Sequence, residues 1–416
     1  MGFSGFRVIT EGLRGNMGWA RMWRDPDPKP HYDIVIVGGG GHGLATAHYL
    51  ASRYGEARVA VIEKGWIGGG NVGRNTTIVR SNYMLDGNEP FYELSLKLWE
   101  GLEQDVNYNA MVSQRGVLNL AHSDAQRDAF RRRGNAMLLH GADAELLDRD
   151  EVRALYPFFD YDNARFPIRG GLLQRRGGTV RHDAVAWGYA RAADRRGVDI
   201  IQNCEVTGFR IEQGRVTGVE TARGTIGAGK VGVAVAGNSS RVMALAGMRL
   251  PIESYPLWAF VTEGLKPVLD GVVTFGAGHF YVSQSDKGGL VFGGDIEAYA
   301  SYAQRGNLPT VHDVCEGGMA LMPMIGRARL LRMWAGTADM TMDGSPIIDA
   351  TGIEGLYFNG GWNYGGFKAT PASGLCFAHL LATGQPHDVA AAYRFDRFRE
   401  GRMIDEKGSG AQPNLH

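Results

Sequence analysis

Cysteine is scarce: the 416 residues contain three, Cys204, Cys315 and Cys376, far apart and in no CxxC pair. A disulfide framework and a thiolate zinc site are excluded, and a reducing, cytoplasmic setting is expected. Charge of one sign is also lacking. Lys plus Arg number 44 and Asp plus Glu number 44, giving a formal net charge of zero. A surface built for nucleic acid or anionic lipid is not expected from that balance. No apolar run approaches the ~18 residues of a membrane span. The first thirty residues hold no apolar core segment or small-residue cleavage site, so no secretory signal is expected. Internal repeats and low-complexity stretches are absent. With 44% hydrophobic and 21% charged residues, the composition is that of a globular chain, of two to three domains at ~150 residues each. What is abundant is glycine. Its 61 residues are about 15% of the chain, twice the usual ~7%. They cluster in loops between apolar runs, where backbone must approach a ligand closely.

Residues 1–30 lack clear periodicity and end in Asp25-Pro26-Asp27-Pro28-Lys29-Pro30, which predicts an extended arm and not a helix. Its aromatics, Phe3, Phe6, Trp19 and Trp23, must pack on the chain's own domain or on a partner. The first strong element is the branched-apolar run Asp33-Ile34-Val35-Ile36-Val37, a buried strand. Gly38-Gly39-Gly40-Gly41-His42-Gly43 follows, then a helix from about Leu44 to Arg53 and a second strand over 58–63. This is a βαβ unit, and Gly38, Gly40 and Gly43 form G-x-G-x-x-G within it. Glu63 closes the second strand, about 25 residues on. The first glycine makes the tight turn, the second admits a pyrophosphate and the third lets helix and strand pack. The helix N-terminus, with Gly41, faces phosphate, and the acid accepts from ribose hydroxyls. Glu63 continues into Lys64 and a glycine-rich loop running to Asn75. Such a loop suits a long, buried cofactor, which favours FAD over NAD.

Residues 87–171 read as helices (93–103, 123–133 and 148–155) separated by loops, with a further helix over 181–196. From Glu205 short alternating strands joined by Gln213-Gly214 and Arg223-Gly224 predict a β-meander, leading into Val231–Gly237. Residues 356–366 predict a last strand and glycine turn before a helix opening near Thr370-Pro371. The expected fold class is α/β: a Rossmann-like FAD-binding domain in pieces (31–86, 172–247 and 336–403), a mixed sheet with a β-meander, and an α+β substrate domain (87–171 and 248–335). An arm (1–30) and a tail (404–416) flank them.

Several of these stretches together resemble the amine-oxidising branch of the D-amino-acid-oxidase-like flavoproteins. They are the GGGGHG turn, Val61-Ile62-Glu63-Lys64, the loop from Gly70 to Arg80, Val235-Ala236-Gly237, and Asn359-Gly360-Gly361-Trp362-Asn363-Tyr364-Gly365-Gly366-Phe367-Lys368. Within that branch, the segment Arg181-His182-Asp183-Ala184-Val185-Ala186-Trp187 and residues 199–208 are similar to the family of β subunits of heterotetrameric sarcosine oxidases. The resemblance spans about residues 30–405. It implies non-covalent FAD held by the glycine cradle, Glu63, Lys64, Asn71, Arg74, Asn75, Thr76, Val206, Gly237, Gly365 and Gly366. It implies FMN bound covalently to His182, at the junction with an α subunit, and small γ and δ chains. Electrons would pass from sarcosine to FAD, FMN and O2, giving glycine, a one-carbon unit and hydrogen peroxide, with tetrahydrofolate acting through the α subunit. An FAD-dependent dehydrogenase of proline, dimethylglycine or a related amine is the alternative, and a flavin-stabilised assembly protein without turnover a second.

A small amino acid offers one strong handle, its carboxylate. Arg80 and Lys368 both follow glycine-rich flavin loops and are the expected clamp: a guanidinium fork reads a carboxylate bidentately and an ammonium adds a point charge. His279 is a candidate to accept or fix the amine proton, with Tyr281 behind it. Monomeric relatives place a lysine over the flavin to activate O2; Val291 stands at that position here. Asp343-Gly344-Ser345-Pro346 reads as a turn, not as catalysis.

Overall fold

The computed structural model describes residues 4–17, 21–55, 57–162, 165–305 and 307–406. Most of the expected tail, with Phe3 and Trp19 of the arm, lies outside them. Two eight-stranded sheets dominate. In the first, His31–Val37 lies between Gly224–Val233 and Val59–Ile62, parallel to both. Asp199–Ile201 extends one edge in parallel, and Leu356–Gly360 then antiparallel Ile347–Ala350 extend the other. The strands alternate their apolar residues between two cores. Ile34, Ile36 and Val61 face helices Gly41–Arg53, His182–Asp194 and Gly366–Thr383. Val35, Val37 and Ile62 face the meander. Both faces are covered, so the strand reads as a continuous apolar run.

The meander forms as expected. Strands Val206–Glu212, Arg215–Thr221 and Gly224–Val233 pair antiparallel. The first hairpin turns on Gln213 and Gly214, both left-handed at φ 51° and 79°, the geometry that matches strand twist.

The second sheet runs from Leu330–Thr341 through Ile252–Gly264, Gly289–Ile296, Phe280–Gln284, Val272–Phe275, Val117–Ala121 and Gly170–Gln174 to Glu145–Leu147. Its core centres on Trp258, Phe260, Phe275 and Phe292. Several expectations change here. The region 87–171 contributes three strands as well as helices, because runs as short as Val117–Ala121 carry too little periodicity to stand out. Its first helix, Glu89–Glu100, packs Phe91, Tyr92 and Trp99 into the core under the first sheet. Strands Gly170–Gln174 and Leu330–Thr341 belong to the second sheet, so the expected divisions at 172 and 336 fall inside its strands.

The arm also differs. Gly5–Leu13 is a helix capped by Ser4, with Phe6, Ile9 and Leu13 exposed on its surface. The proline segment is extended and grips its own domain: Arg24 Nε meets Asp194 at 2.7 Å and Lys29 Nζ meets Asp199 at 2.6 Å. Among the described residues no helix is long and apolar enough to cross a membrane.

The turn around Asp343 is a buried tie. Arg397 donates to both oxygens of Asp343 (2.8 and 3.0 Å), and both side chains are enclosed. Burial pushes the carboxyl up, but the guanidinium outweighs it and the net pKa is lowered. That stabilisation is complete above the unfolded pKa near ~3.9 and is lost as pH falls through the lowered folded value. Arg397→Met leaves a buried carboxylate unpaired and should cost about 3–5 kcal/mol in urea unfolding at neutral pH.

Candidate functional site

Gly38 turns at φ 112°, and a Cβ there would meet the Ala234 carbonyl at 2.3 Å. A Cβ on Gly43 would stand 1.9 Å from the Gly38 carbonyl, so only glycine lets the helix seat on the strand. Gly40, the helix cap, has nothing within 4 Å of its would-be Cβ. The helix N-terminus that it caps lines open space, the setting in which backbone N–H groups can take a pyrophosphate. Glu63 is oriented by Gly39 N–H (2.9 Å) and Gly65 N–H (2.8 Å).

These residues open one cavity of about 840 Å³ at the joint of the two sheets. Its walls include Gly38, Gly40, Gly41, Glu63 and Lys64 of the glycine cradle and second strand. Asn71, Arg74, Asn75, Thr76 and Val206 also line it. Arg80, Gly366 and Lys368 line the same cavity. Asn71 ties its loop to the second sheet: its amide donates to the Thr337 carbonyl at 2.6 Å and accepts from Thr337 N–H at 3.0 Å. The volume, the glycine cradle and the acid that ends the second strand fit FAD.

Other expected residues stand elsewhere. Gly43 packs helix on strand. Gly237 packs against Thr337, and Gly365 against the Tyr92 hydroxyl; neither lines the cavity. His182 opens helix His182–Asp194 outside the cavity wall, with Nδ1 buried and unpartnered. Burial lowers its pKa. His279 does not reach the site. It turns left-handed at φ 47°, and its half-exposed ring meets Asp313 at 3.3 Å. Tyr281, two residues on, does line the cavity. Its hydroxyl meets Thr76, and burial pushes its pKa to about 12. Val291 is not on the wall either; from these paired strands Tyr281 and Gly294 are.

Lys368 is buried, its Nζ donating to the Tyr364 carbonyl at 2.8 Å. Burial, then Arg80, hold its pKa well below the ordinary lysine value. Its helix opens at Gly366, earlier than expected, with Pro371 inside. A proline deprives the preceding turn of a donor. The missing donor is the one for the Phe367 carbonyl, four residues back; the Lys368 carbonyl next to it accepts from Ser95 Oγ (2.7 Å) and Trp99 Nε1 (2.9 Å). Arg80 lies over the Tyr83 ring and donates to Asn82.

Two cleft residues escape the sequence reading. Asp339 is 2% exposed and accepts from Gly361 N–H at 2.6 Å, while its carbonyl accepts from Asn363 N–H at 3.0 Å. Asn363 answers by accepting from Thr341 N–H. These bonds hold Gly361 (φ 73°) and Asn363 (φ 51°) in the left-handed turn before the lysine helix. Burial raises the Asp339 pKa to about 6. His42 stacks on Trp362 (centroids 4.7 Å apart), with Nδ1 2.6 Å from Ser373 Oγ. Asn359 donates to Ser373 and accepts from Trp362 Nε1. Burial holds the His42 pKa down to about 3, so the ring is neutral. A histidine inside the glycine motif was the available signal for His42; nothing local in the sequence marked Asp339.

The sequence matches the FAD dependent oxidoreductase (DAO) family over residues 33–380. It is 73% identical to "Sarcosine oxidase subunit beta" of Rhizobium meliloti (strain 1021) over 416 residues, 100% of both chains. The protein of the same name from Rhodobacter capsulatus is 48% identical over 404 residues, 97% of both. Among solved structures, L-proline dehydrogenase from P. horikoshii superposes with a TM-score of 0.84 at 27% identity, covering 90% of this chain and 99% of that one. The chain belongs to the FAD dependent oxidoreductases, and within them to the family of sarcosine oxidase β subunits.

Gly43→Ala should force helix from strand at the cradle. The expected outcome is folded protein that has lost most of its FAD, measured as flavin absorbance per chain after gel filtration. Full FAD content would contradict the packing role.

Proposed function

We propose that this chain oxidises sarcosine at its N-methyl carbon as the catalytic subunit of an FAD-dependent enzyme. The observation that carries the reading is that Arg80 and Lys368, distant in sequence, share one cleft with the glycine cradle. FAD, when bound, supplies the two-electron acceptance that no side chain provides. The chain's own groups bind and orient. Arg80 takes the substrate carboxylate in a fork, Lys368 adds the point charge, and Tyr281 presents a protonated hydroxyl from the facing wall. The buried walls from Trp258 and Trp362 exclude water.

His182 is the proposed covalent FMN site, passing electrons on to O2. Its support is a neutral, buried imidazole whose Nδ1 has no partner, a form able to act as nucleophile. Val180, two residues earlier, donates to the carbonyl of Thr77 on the cleft wall at 3.0 Å, which favours a short path between the two flavins. We place the chain in an assembly with α, γ and δ chains in the cytoplasm; the relatives' name as a subunit and the apolar surface of helix Gly5–Leu13 support partner chains. The likeness to L-proline dehydrogenase favours proline as the competing substrate.

Lys368→Met should retain FAD while weakening sarcosine binding by on the order of 2–5 kcal/mol, the usual loss for one partner of a desolvated charge pair. Steady-state KM checks this, and an unchanged value in both Lys368→Met and Arg80→Met refutes the clamp. His182→Asn should abolish covalent flavin while FAD and the fold persist. Mass spectrometry of the denatured chain reads it: retained flavin mass would put the attachment elsewhere.

A further inference from the structure

Lys368 sits in a setting that carboxylate binding alone does not require. Its side chain is buried, and among the described residues it makes one hydrogen bond, to a carbonyl, and feels one charged group, Arg80. It is the third residue of helix Gly366–Thr383, where the helix carries partial positive charge. Among the described residues no carboxylate pairs with it: Glu89 and Glu93, buried on the packed helix Glu89–Glu100, are not among the charges that it feels, and Glu93 pairs with Arg176 at 2.6 Å. Ser95 and Trp99 hold its carbonyl. The Tyr92 hydroxyl lies against Gly365, and His42 is neutral. Asp339 shares the cleft but is committed to the Gly361 turn and is not among the charges felt by Lys368. An ammonium placed among a guanidinium, a helix N-terminus and apolar walls is driven to shed its proton.

We propose that Lys368 accepts the substrate's ammonium proton as well as anchoring its carboxylate, so that the amino acid enters as a zwitterion and is oxidised as a free amine. This rests on reading the cleft as an amino-acid-oxidising site. The balance closes within the site: one N–H bond of the substrate breaks, one forms on Nζ, and the total charge is unchanged. The arriving carboxylate drives the transfer, because it supplies the anion the buried lysine lacks and raises its proton affinity. The product of the step is a nitrogen with a free lone pair. Loss of hydride from the adjacent carbon needs that lone pair to stabilise the positive charge left behind.

Butanoate has sarcosine's length and carboxylate but no nitrogen, so it reports the step without turnover. Calorimetric titration into the FAD-loaded holoenzyme, in two buffers of different ionisation enthalpy near neutral pH, should show uptake of close to one proton per site. Its affinity should fall about tenfold per pH unit above the free lysine's pKa. Lys368→Arg keeps a permanent charge. It should bind butanoate without proton uptake, and its flavin reduction by sarcosine should slow and recover only at alkaline pH, where the substrate is already deprotonated. Absence of proton uptake in the wild type overturns the proposal, as does a wild-type pH profile in Lys368→Arg. Failure of the underlying reading looks different: butanoate and sarcosine would bind wild type and Lys368→Met equally.

Discussion

A lysine enclosed without an acid is the constraint on which the arrangement of the cleft depends. Left to itself, helix Gly366–Thr383 would point Lys368 toward solvent or toward a carboxylate. Three sets of contacts prevent that. Pro371 disrupts the helical bonding of the preceding turn, and Ser95 and Trp99 take the Lys368 carbonyl. The strained turn before the helix is stitched to the second sheet by Asp339 and Asn363. The stack of His42 on Trp362, closed through Asn359 and Ser373, ties that turn to the glycine cradle. The glycine cradle and the helix that carries Lys368 are therefore tied together through one set of contacts.

The same logic explains why two sheets are needed. The parallel sheet supplies the turn and the helix N-terminus, which are general devices for a phosphate. The second sheet brings Trp258, Tyr281 and Asp339 across from it. Asn71 and Gly237 close the joint by packing on Thr337. On the proposed reading a cofactor along that joint would lie between the two cores, with Arg80 and Lys368 on the wall of the same cavity.

Much of this was legible in the sequence where local chemistry and fold agree. The glycine turn, the branched-apolar strands and the Gln213-Gly214 hairpin each encode one geometry, and Arg80 and Lys368 are conspicuous beside glycine loops. What was not legible depends on tertiary contacts. Helix Gly5–Leu13 is only nine residues long and holds Gly5 and Gly12, which lowers its intrinsic helix propensity. Pro371 suggests a helix start, but the helix already opens at Gly366, with the Lys368 carbonyl held by Ser95 and Trp99. His279 and Tyr281 differ by two positions on one chain segment, and the left-handed turn at His279 decides which of them faces the cleft. Asp339 was hidden in a stretch that reads as strand, because nothing local marks a carboxylate that bonds a turn about twenty residues downstream.

The central claim is that one chain joins a flavin cradle to an amino-acid carboxylate clamp for sarcosine. Anaerobic addition of sarcosine to the FAD-loaded protein, followed by visible absorbance, tests it most directly. The account predicts stoichiometric bleaching of FAD by sarcosine, in preference to L-proline. Flavin that stays oxidised with sarcosine while remaining bound, or that is bleached by proline alone, would contradict it.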